Sequence, residues 1–513
     1  MRYAIVLVGA ASLVLYAALA LPSGWFAGGC APARVYLFEG ILAALLVLLA
    51  VLLVVLKYDA TGPHDSLRDL HIIFAFAVAF RLVLLPQTPW LSNDIYRYLW
   101  DADLMHNGVN PYLHPPQAPE LEAFRDNENY SRLSHKYVAT VYPPVLQLFF
   151  ALGRGLGEYS GLGGVFGIKL VFVIFDLLLI ACLVKVLPYF QLDPRWVVLY
   201  AWHPLPIVEI AGSGHSDGVG VLFLVLALAA LCLNRFRFAA AFLALAFLVK
   251  LVSVLLLPFL FLPKERRKHA WQALAVFCAM VMGSYLPFLA AGKNLISGLL
   301  TYSAKWRFND GLFTLLFTPV HALLPDRLVM LLMVPAEWEI TPEVLITRRV
   351  DLALLLTKAA LALLFLWLCA WLWQRAKVCI QSDRALPWMK LALILLAGFF
   401  LFSPTLQPWY LLWLLPLLCL TVPAGISKIE KQSHEAGRST PVPAEAEILP
   451  RARALRLWMF LAALSGTVFL SYWILIDYVR AGVWQEQNWV KWVEFGVPAL
   501  IFFLPQKFLR RSS

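Results

Sequence analysis

Asp94 heads a cluster of polar and aromatic residues, Trp90-Leu-Ser-Asn-Asp94-Ile-Tyr96-Arg97-Tyr-Leu-Trp100-Asp101, that opens the longest polar interval in the first half of an otherwise apolar chain. The interval, 89–137, follows directly on an apolar run, so its first carboxylates fall where a membrane would meet water. A carboxylate there is neither fully solvated nor fully buried, which is the setting that lifts its pKa toward the value a general base needs. Asp94 is therefore the leading candidate for a base. The same residues also suit a plain helix start, with Ser92-Asn93-Asp94 as the cap of a helix from Ile95 to Leu104.

Other residues offer charge or contact rather than proton transfer. Arg97, three positions after Asp94 and on the same helical face, reads either as a group that orients the base or meets a phosphate, for which a guanidinium is suited, or as a surface ion-pair partner of Asp94 or Asp101. Lys250 lies in an apolar stretch, 243–262, where the only polar neighbour in sequence is Ser253. An intramembrane cation costs at least about 2.5 kcal/mol, so a functional partner such as a lipid phosphate is the default reading, against snorkelling to a membrane face. His215 and Asp217 fall in the Gly-rich turn 212–218, with His203 and Glu209 a span-length earlier, and read as sugar contacts, as braces for Asp94, or as a structural turn. Asp101-Ala-Asp103 has the look of a metal-binding acid pair, but the chain offers no HExxH and no acid-rich loop, and no metal site is expected. Trp306, Trp409 and Tyr410 suit stacking on sugars or isoprenes, or ordinary interfacial anchoring.

The elements that must position these residues are transmembrane helices. Hydrophobic residues make up 61% of the 513 positions, charged ones only 14%, and the mean hydropathy is +0.75, which leaves little for a soluble domain. Runs at 3–21, 36–56, 70–88, 165–187, 196–211, 217–233, 270–291, 350–373, 388–402, 409–424, 456–478 and 492–506 give about twelve spans, some short enough to need tilt or thinning. The net charge of +11 comes from short basic clusters between apolar runs. That pattern marks inside loops and implies no nucleic-acid partner. Both termini then lie inside. Residues 3–21 read as a retained first span rather than a cleaved signal, and the seven scattered cysteines, Cys30 included, suggest neither disulfides nor a metal site. Three stretches stand outside the regular crossings: 238–262, with basic clusters at both ends and read as a re-entrant pair bent near Lys250, and 138–155 and 311–334, read as helices along the outer surface. The loop 425–455 reads as a flexible cytoplasmic connector. The whole chain, 1–513, is thus one all-α polytopic membrane domain with its polar loops, 89–137 foremost, on the outer face.

Asn93-Asp94-Ile-Tyr96-Arg97, Gly108-Val-Asn110-Pro-Tyr112, Tyr142-Pro-Pro144, Gly214-His215-Ser-Asp217, Lys250 before Leu257-Pro258, Lys305-Trp-Arg307-Phe-Asn309 and Gln407-Pro-Trp409-Tyr410 follow one another in an order that resembles bacterial polyprenyl-phosphate-sugar-dependent glycosyltransferases of the C-type superfamily. The likeness runs from about 88 to 413 and is closest to the mannosyltransferase branches that include family 87. At Ala102-Asp103 the chain departs from the expected Gly followed by a basic or polar residue, so no role carries to Asp103. The resemblance implies the C-type fold, a polyprenyl-phosphate-hexose donor, a glycolipid or lipid-linked glycan acceptor, inversion at the anomeric carbon, no cofactor, and a bacterial inner membrane with the site facing the periplasm. It places the base on Asp94 and substrate contacts on Tyr96, Arg97, Asp101, Tyr112, His215, Asp217, Lys250, Lys305, Arg307, Gln407 and Trp409. The physical demands agree: a lipid phosphate leaves as a stable anion, so inverting transfer needs one base and cations rather than a carboxylate pair. A transporter, flippase or ligase would use the same lipids without a base. A transporter would also show paired broken helices in two repeats, and 238–262 has no evident mate.

Overall fold

Proline and charge decide where the apolar runs become long helices and where they break. The structure, a computed structural model, describes residues 2–21, 31–58, 66–125, 128–262, 267–335, 337–379, 386–422, 451–481 and 487–503. The connector expected at 425–455 lies outside these residues up to 450, as do the basic positions 264–266 and 507–511 and Cys30. In chain order the principal helices are α1 (Arg2–Leu19), α2 (Ala31–Tyr58), α3 (Ser66–Leu84), α4 (Asp94–His106), α5 (Pro144–Tyr159), α6 (Gly164–Val186), α7 (Asp217–Cys232), α8 (Phe236–Phe247), α9 (Arg267–Tyr285), α10 (Gly311–Leu323), α11 (Asp326–Met333), α12 (Pro342–Cys379), α13 (Leu386–Phe402), α14 (Arg451–Thr467) and α15 (Asn488–Phe503). Among the described residues the architecture is all-helical, apart from one isolated bridge between Phe308 and Thr405.

Among the described residues, six helical stretches are long and apolar enough to cross a membrane: Arg2–Leu19, Ala33–Lys57, Gly164–Phe190, Arg267–Ala304, Pro342–Lys377 and Arg453–Ile476. A seventh is reached if α10 and α11, bent by 101° at the Pro325 joint, count as one. The other expected runs take shorter or interrupted forms. The run 70–88 is α3, which carries Arg68, Asp69 and the fully buried Arg81. Residues 196–211 form short turns around Pro194, Pro204 and Pro206 and end in a π-helical turn, Ile207–Gly212. Pro408 and Pro416 divide 409–424 in the same way, because each proline removes a donor and crowds the preceding turn. The pair expected over 238–262 consists of α8 and a 3-10 segment, Leu251–Phe261, and they meet at an extended Lys250 (φ −149°, ψ 126°).

Two features hold the first half together. Arg81 on α3 meets Asp176 on α6 at 2.5 Å and donates to the carbonyls of Ala77 and Ala201, while Tyr200 donates to Asp176. Helices α5 and α6 approach backbone to backbone: a Cβ at Gly157 would lie 2.3 Å from the Gly163 carbonyl oxygen, and one at Gly167 2.1 Å from that of Gly153. This is small-xxx-small packing, Gly153/Gly157 against Gly163/Gly167. It fixes the surface on which α4, the carrier of Asp94, is laid.

Gly157→Ala should therefore destabilise the purified protein by about 1–3 kcal/mol, because the new methyl meets backbone that cannot yield. At Gly155 the nearest atom is 3.8 Å away on His106. Gly155→Ala should instead stabilise by up to about 1 kcal/mol through helix propensity. Opposite shifts in thermal unfolding midpoint would show the helix contact; equal shifts would count against it.

Candidate active site

Helix α4 begins at Asp94, and the Asp94 backbone N–H donates to the Ser92 hydroxyl at 3.2 Å. Asn93 makes no capping bond; its amide donates to Ser134 and to the Arg132 carbonyl. The Asp94 carboxylate is thus left free of capping duty, and it faces the turn that carries His215. Asp94 Oδ2 lies 3.9 Å from His215 Nδ1, and His215 Nε2 lies 3.5 Å from Glu209 Oε2. Glu209 accepts from the Tyr472 hydroxyl at 2.8 Å. Neither ring nitrogen of His215 has a hydrogen-bond partner, and the imidazole stacks on Trp409 with centroids 3.6 Å apart. The side chain of Asp94 remains 38% exposed, but its carboxyl is set deep among protein atoms. Burial pushes it up to about 6; Lys250 pulls it down, Asp217 pushes it up, and Arg97 pulls it down.

Below that mouth lies an ion pair. Lys250 Nζ meets Asp217 Oδ1 at 2.5 Å and stands 3.7 Å over the ring of Tyr410, and Trp413 donates to the same Asp217 oxygen at 2.7 Å. The charge partner of Lys250 sits 33 residues earlier, not on its own segment. The expectation of a cation waiting for a lipid phosphate is corrected to that extent. The backbone break at Lys250 lets the ammonium reach α7.

Asp101 is fully buried and faces inward. Its oxygens accept from Arg97 Nε at 2.9 Å, from Thr140 Oγ1 at 2.5 Å and from Gln147 Nε2 at 3.0 Å, and Arg97 also donates to the Val138 carbonyl. Of the two sequence readings of Arg97, the ion pair with Asp101 is the one seen. Asp103, two positions on, points elsewhere and pairs with Arg154 at 2.7 Å. Two carboxylates two residues apart on a helix cannot converge on one ion, and among the described residues no three His, Cys, Asp or Glu side chains gather as a metal set.

The remaining sequence-picked residues divide. Trp409 joins Asp94, His215, Asp217 and Lys250, and Gln407 is half-buried at the start of the same turn. The Tyr96 hydroxyl bonds Arg132 at 2.6 Å and the Tyr112 hydroxyl bonds the Tyr142 carbonyl at 2.5 Å, so both brace the polar interval that α4 opens. Arg307 belongs to a second cluster, around Asp310, which also receives Lys491 and Thr314, with Asn309 bonded to Glu494 beside it. The side chain of Lys305 lies outside the described residues. Sequence reasoning did not pick Trp413, Glu209, Thr140, Gln147 or Asp310 as site residues. Only Glu209, an acid inside an apolar run, carried a visible signal. His203, noted beside it, is structural, accepting from Leu205 N–H and meeting Ser465.

This chain belongs to the alpha-(1->6)-mannopyranosyltransferase family: the family model of the MptA/B N-terminal domain matches residues 5–264. The match takes in Asp94, Asp101, His215, Asp217 and Lys250 and stops short of Arg307, Gln407 and Trp409. No curated protein matches the chain.

Lys250→Met removes the partner of an Asp217 side chain that is only 5% exposed. Stability should fall by about 3–5 kcal/mol, the cost of an unpaired buried charge. Adding Asp217→Asn should recover much of it. A single variant as heat-stable as wild type would refute the pair's structural weight.

Proposed function

We propose that the protein transfers mannose from a polyprenyl-phosphate donor to a glycolipid or lipid-linked glycan acceptor, with inversion, and that Asp94 is the general base. The observation that carries the assignment is Asp94 itself: a partly exposed carboxyl, raised to about 6, beside His215 stacked on Trp409 and within the field of the Lys250–Asp217 pair. The acceptor hydroxyl attacks C1 of the sugar as the C1–O bond to phosphate breaks. The bonding pair leaves with the lipid phosphate, and the hydroxyl proton passes to Asp94. His215 steadies the carboxylate, Trp409 offers a face for the sugar, and the Lys250–Asp217 pair sets the local field in a site of low dielectric. Family membership supports mannosyl transfer. The C-type fold with about twelve crossings, the periplasmic orientation and the bacterial inner membrane belong to the same proposal, supported by the basic clusters between apolar runs.

Asp94→Asn keeps shape and removes the proton acceptor. Transfer of labelled mannose from polyprenyl-phosphate-mannose to membrane glycolipid should fall by about 10² to 10⁴. Wild-type turnover in that variant would shift the reading toward a flippase or ligase. In the wild-type enzyme only the carboxylate form works, so kcat/KM should rise with pH through about 6 and level off above it. A profile flat from pH 5 to 8 would remove Asp94 from the role. Because Asp101 and Asp103 diverge and are internally paired, transfer should persist in excess EDTA; silencing by EDTA with rescue by Mn²⁺ or Mg²⁺ would reopen the acid pair as a metal site.

A further inference from the structure

Among the described side chains, three cations that the sequence would offer to a lipid phosphate are paired inside the protein: Arg97 with Asp101, Lys250 with Asp217 and Arg307 with Asp310. Arg34, on the first turns of α2, is different. No carboxylate among the described residues pairs with it, and its guanidinium lies over the ring of Trp90 at 4.3 Å. It borders an open cleft whose lining includes the polar Gln87 and Ser213 and the apolar Leu19 and Phe38.

The position of this cleft is as informative as its lining. Leu19 ends α1, Arg34 begins α2, and Leu84, which also lines the cleft, ends α3, so three helix ends meet there. The other walls are the segments that lead into the site: Trp90 precedes Asp94 by four residues, and Ser213 precedes His215 by two. Trp90 is held edge-on against Phe38 at 5.3 Å, which fixes the platform under the guanidinium. A planar cation with free donors, stacked on an indole and flanked by hydrocarbon, matches an oxyanion that carries an apolar chain. Guanidinium binds phosphate oxygens in a bidentate fork, and the contact gains strength where water is scarce.

We infer that Arg34 and Trp90 hold the phosphate of the lipid-linked donor, with the polyprenyl chain lying along Leu19 and Phe38 and the sugar directed toward Asp94. The inference rests on the donor reading above but names a site that reading lacks. It also explains how the phosphate is met when Lys250 is engaged by Asp217.

The test is binding rather than turnover. Labelled polyprenyl phosphate is titrated into the purified full-length protein in phosphatidylcholine nanodiscs, for wild type, Arg34→Gln, Arg34→Lys, Trp90→Leu and Asp94→Asn, with unfolding midpoints recorded for each. Loss of a charge-assisted pair should weaken binding about tenfold to a hundredfold in Arg34→Gln, and less in Arg34→Lys. Trp90→Leu should weaken it too, and Asp94→Asn should not. Polyprenol without phosphate and inorganic phosphate without a chain should each compete poorly. Wild-type affinity in both Arg34→Gln and Trp90→Leu overturns the site. Competition by phosphatidylglycerol equal to that by polyprenyl phosphate overturns its assignment to the donor. Should Arg34-dependent binding be found in a protein that moves no mannose, the site stands and the proposed reaction fails; transfer by an enzyme indifferent to Arg34→Gln gives the reverse.

Discussion

An ion inside a hydrocarbon-lined bundle costs about several kcal/mol unless a counter-ion and hydrogen bonds meet it, and this requirement arranges the polar interior of the protein. Arg81 with Asp176 ties α3 to α6, Arg97 and Asp101 pair within α4 and bond the 138–147 segment, Lys250 with Asp217 ties the broken helix to α7, and Lys491 with Asp310 ties α15 to the start of α10. Each pair also draws in a neutral donor or carbonyl: Tyr200, Thr140 and Gln147, Trp413, and Thr314 in turn. Asp94 and Arg34 stand apart from this scheme: among the described residues neither has an Arg or Lys counter-ion or a carboxylate partner bonded to it, which is what the proposed substrate roles draw on.

The local backbone is bent to serve these contacts. The π-helical turn at 207–212 turns Glu209 toward His215, and Gly214 takes φ +80°, which a side chain would strain and which Ile95 and Lys169 would crowd. Lys169, buried with no carboxylate partner among the described residues, donates to the carbonyls of Leu84 and Gln87 and so secures the exit of α3 just before the polar interval. Asn309, at φ 51°, lets Phe308 bridge to Thr405, which carries the Asp310 cluster up to the turn of Trp409. The site is therefore set by three irregular turns on rigid helices, an arrangement in which a small error in any turn misplaces His215 relative to Asp94.

How much of this was legible depends on distance along the chain. Asp94 could be found because a carboxylate at the edge of an apolar run is a local signal, and the break at Lys250 could be found because a lone cation in a span is costly wherever it lies. The partner of Lys250 was not legible: Asp217 was visible only as a residue in a Gly-rich turn, and nothing in the sequence aligns positions 33 apart on different helices. Asp101 looked exposed and available from its place in the polar interval, yet α4 turns it under Gln147 and Thr140. The six stretches long enough to cross among the described residues follow from hydropathy, whereas at 196–211 and 409–424 hydropathy registers the apolar length but not the prolines that divide it into short turns.

The pairing rule also bears on why a single base suffices. The negative charge of Asp217 lifts Asp94, and several free carboxylates gathered in one place would hold protons rather than take them. Lys250 and Trp413 both bond Asp217, while Tyr472 and His215 stand against Glu209. What remains is one carboxyl whose proton affinity is lifted by burial and by its neighbours, and held down by Lys250 and Arg97 to a value that still leaves it ionised near neutrality. The ion pairs that fasten the helices thus also tune the one acid that is not fastened, so that stability and reactivity draw on the same few charges.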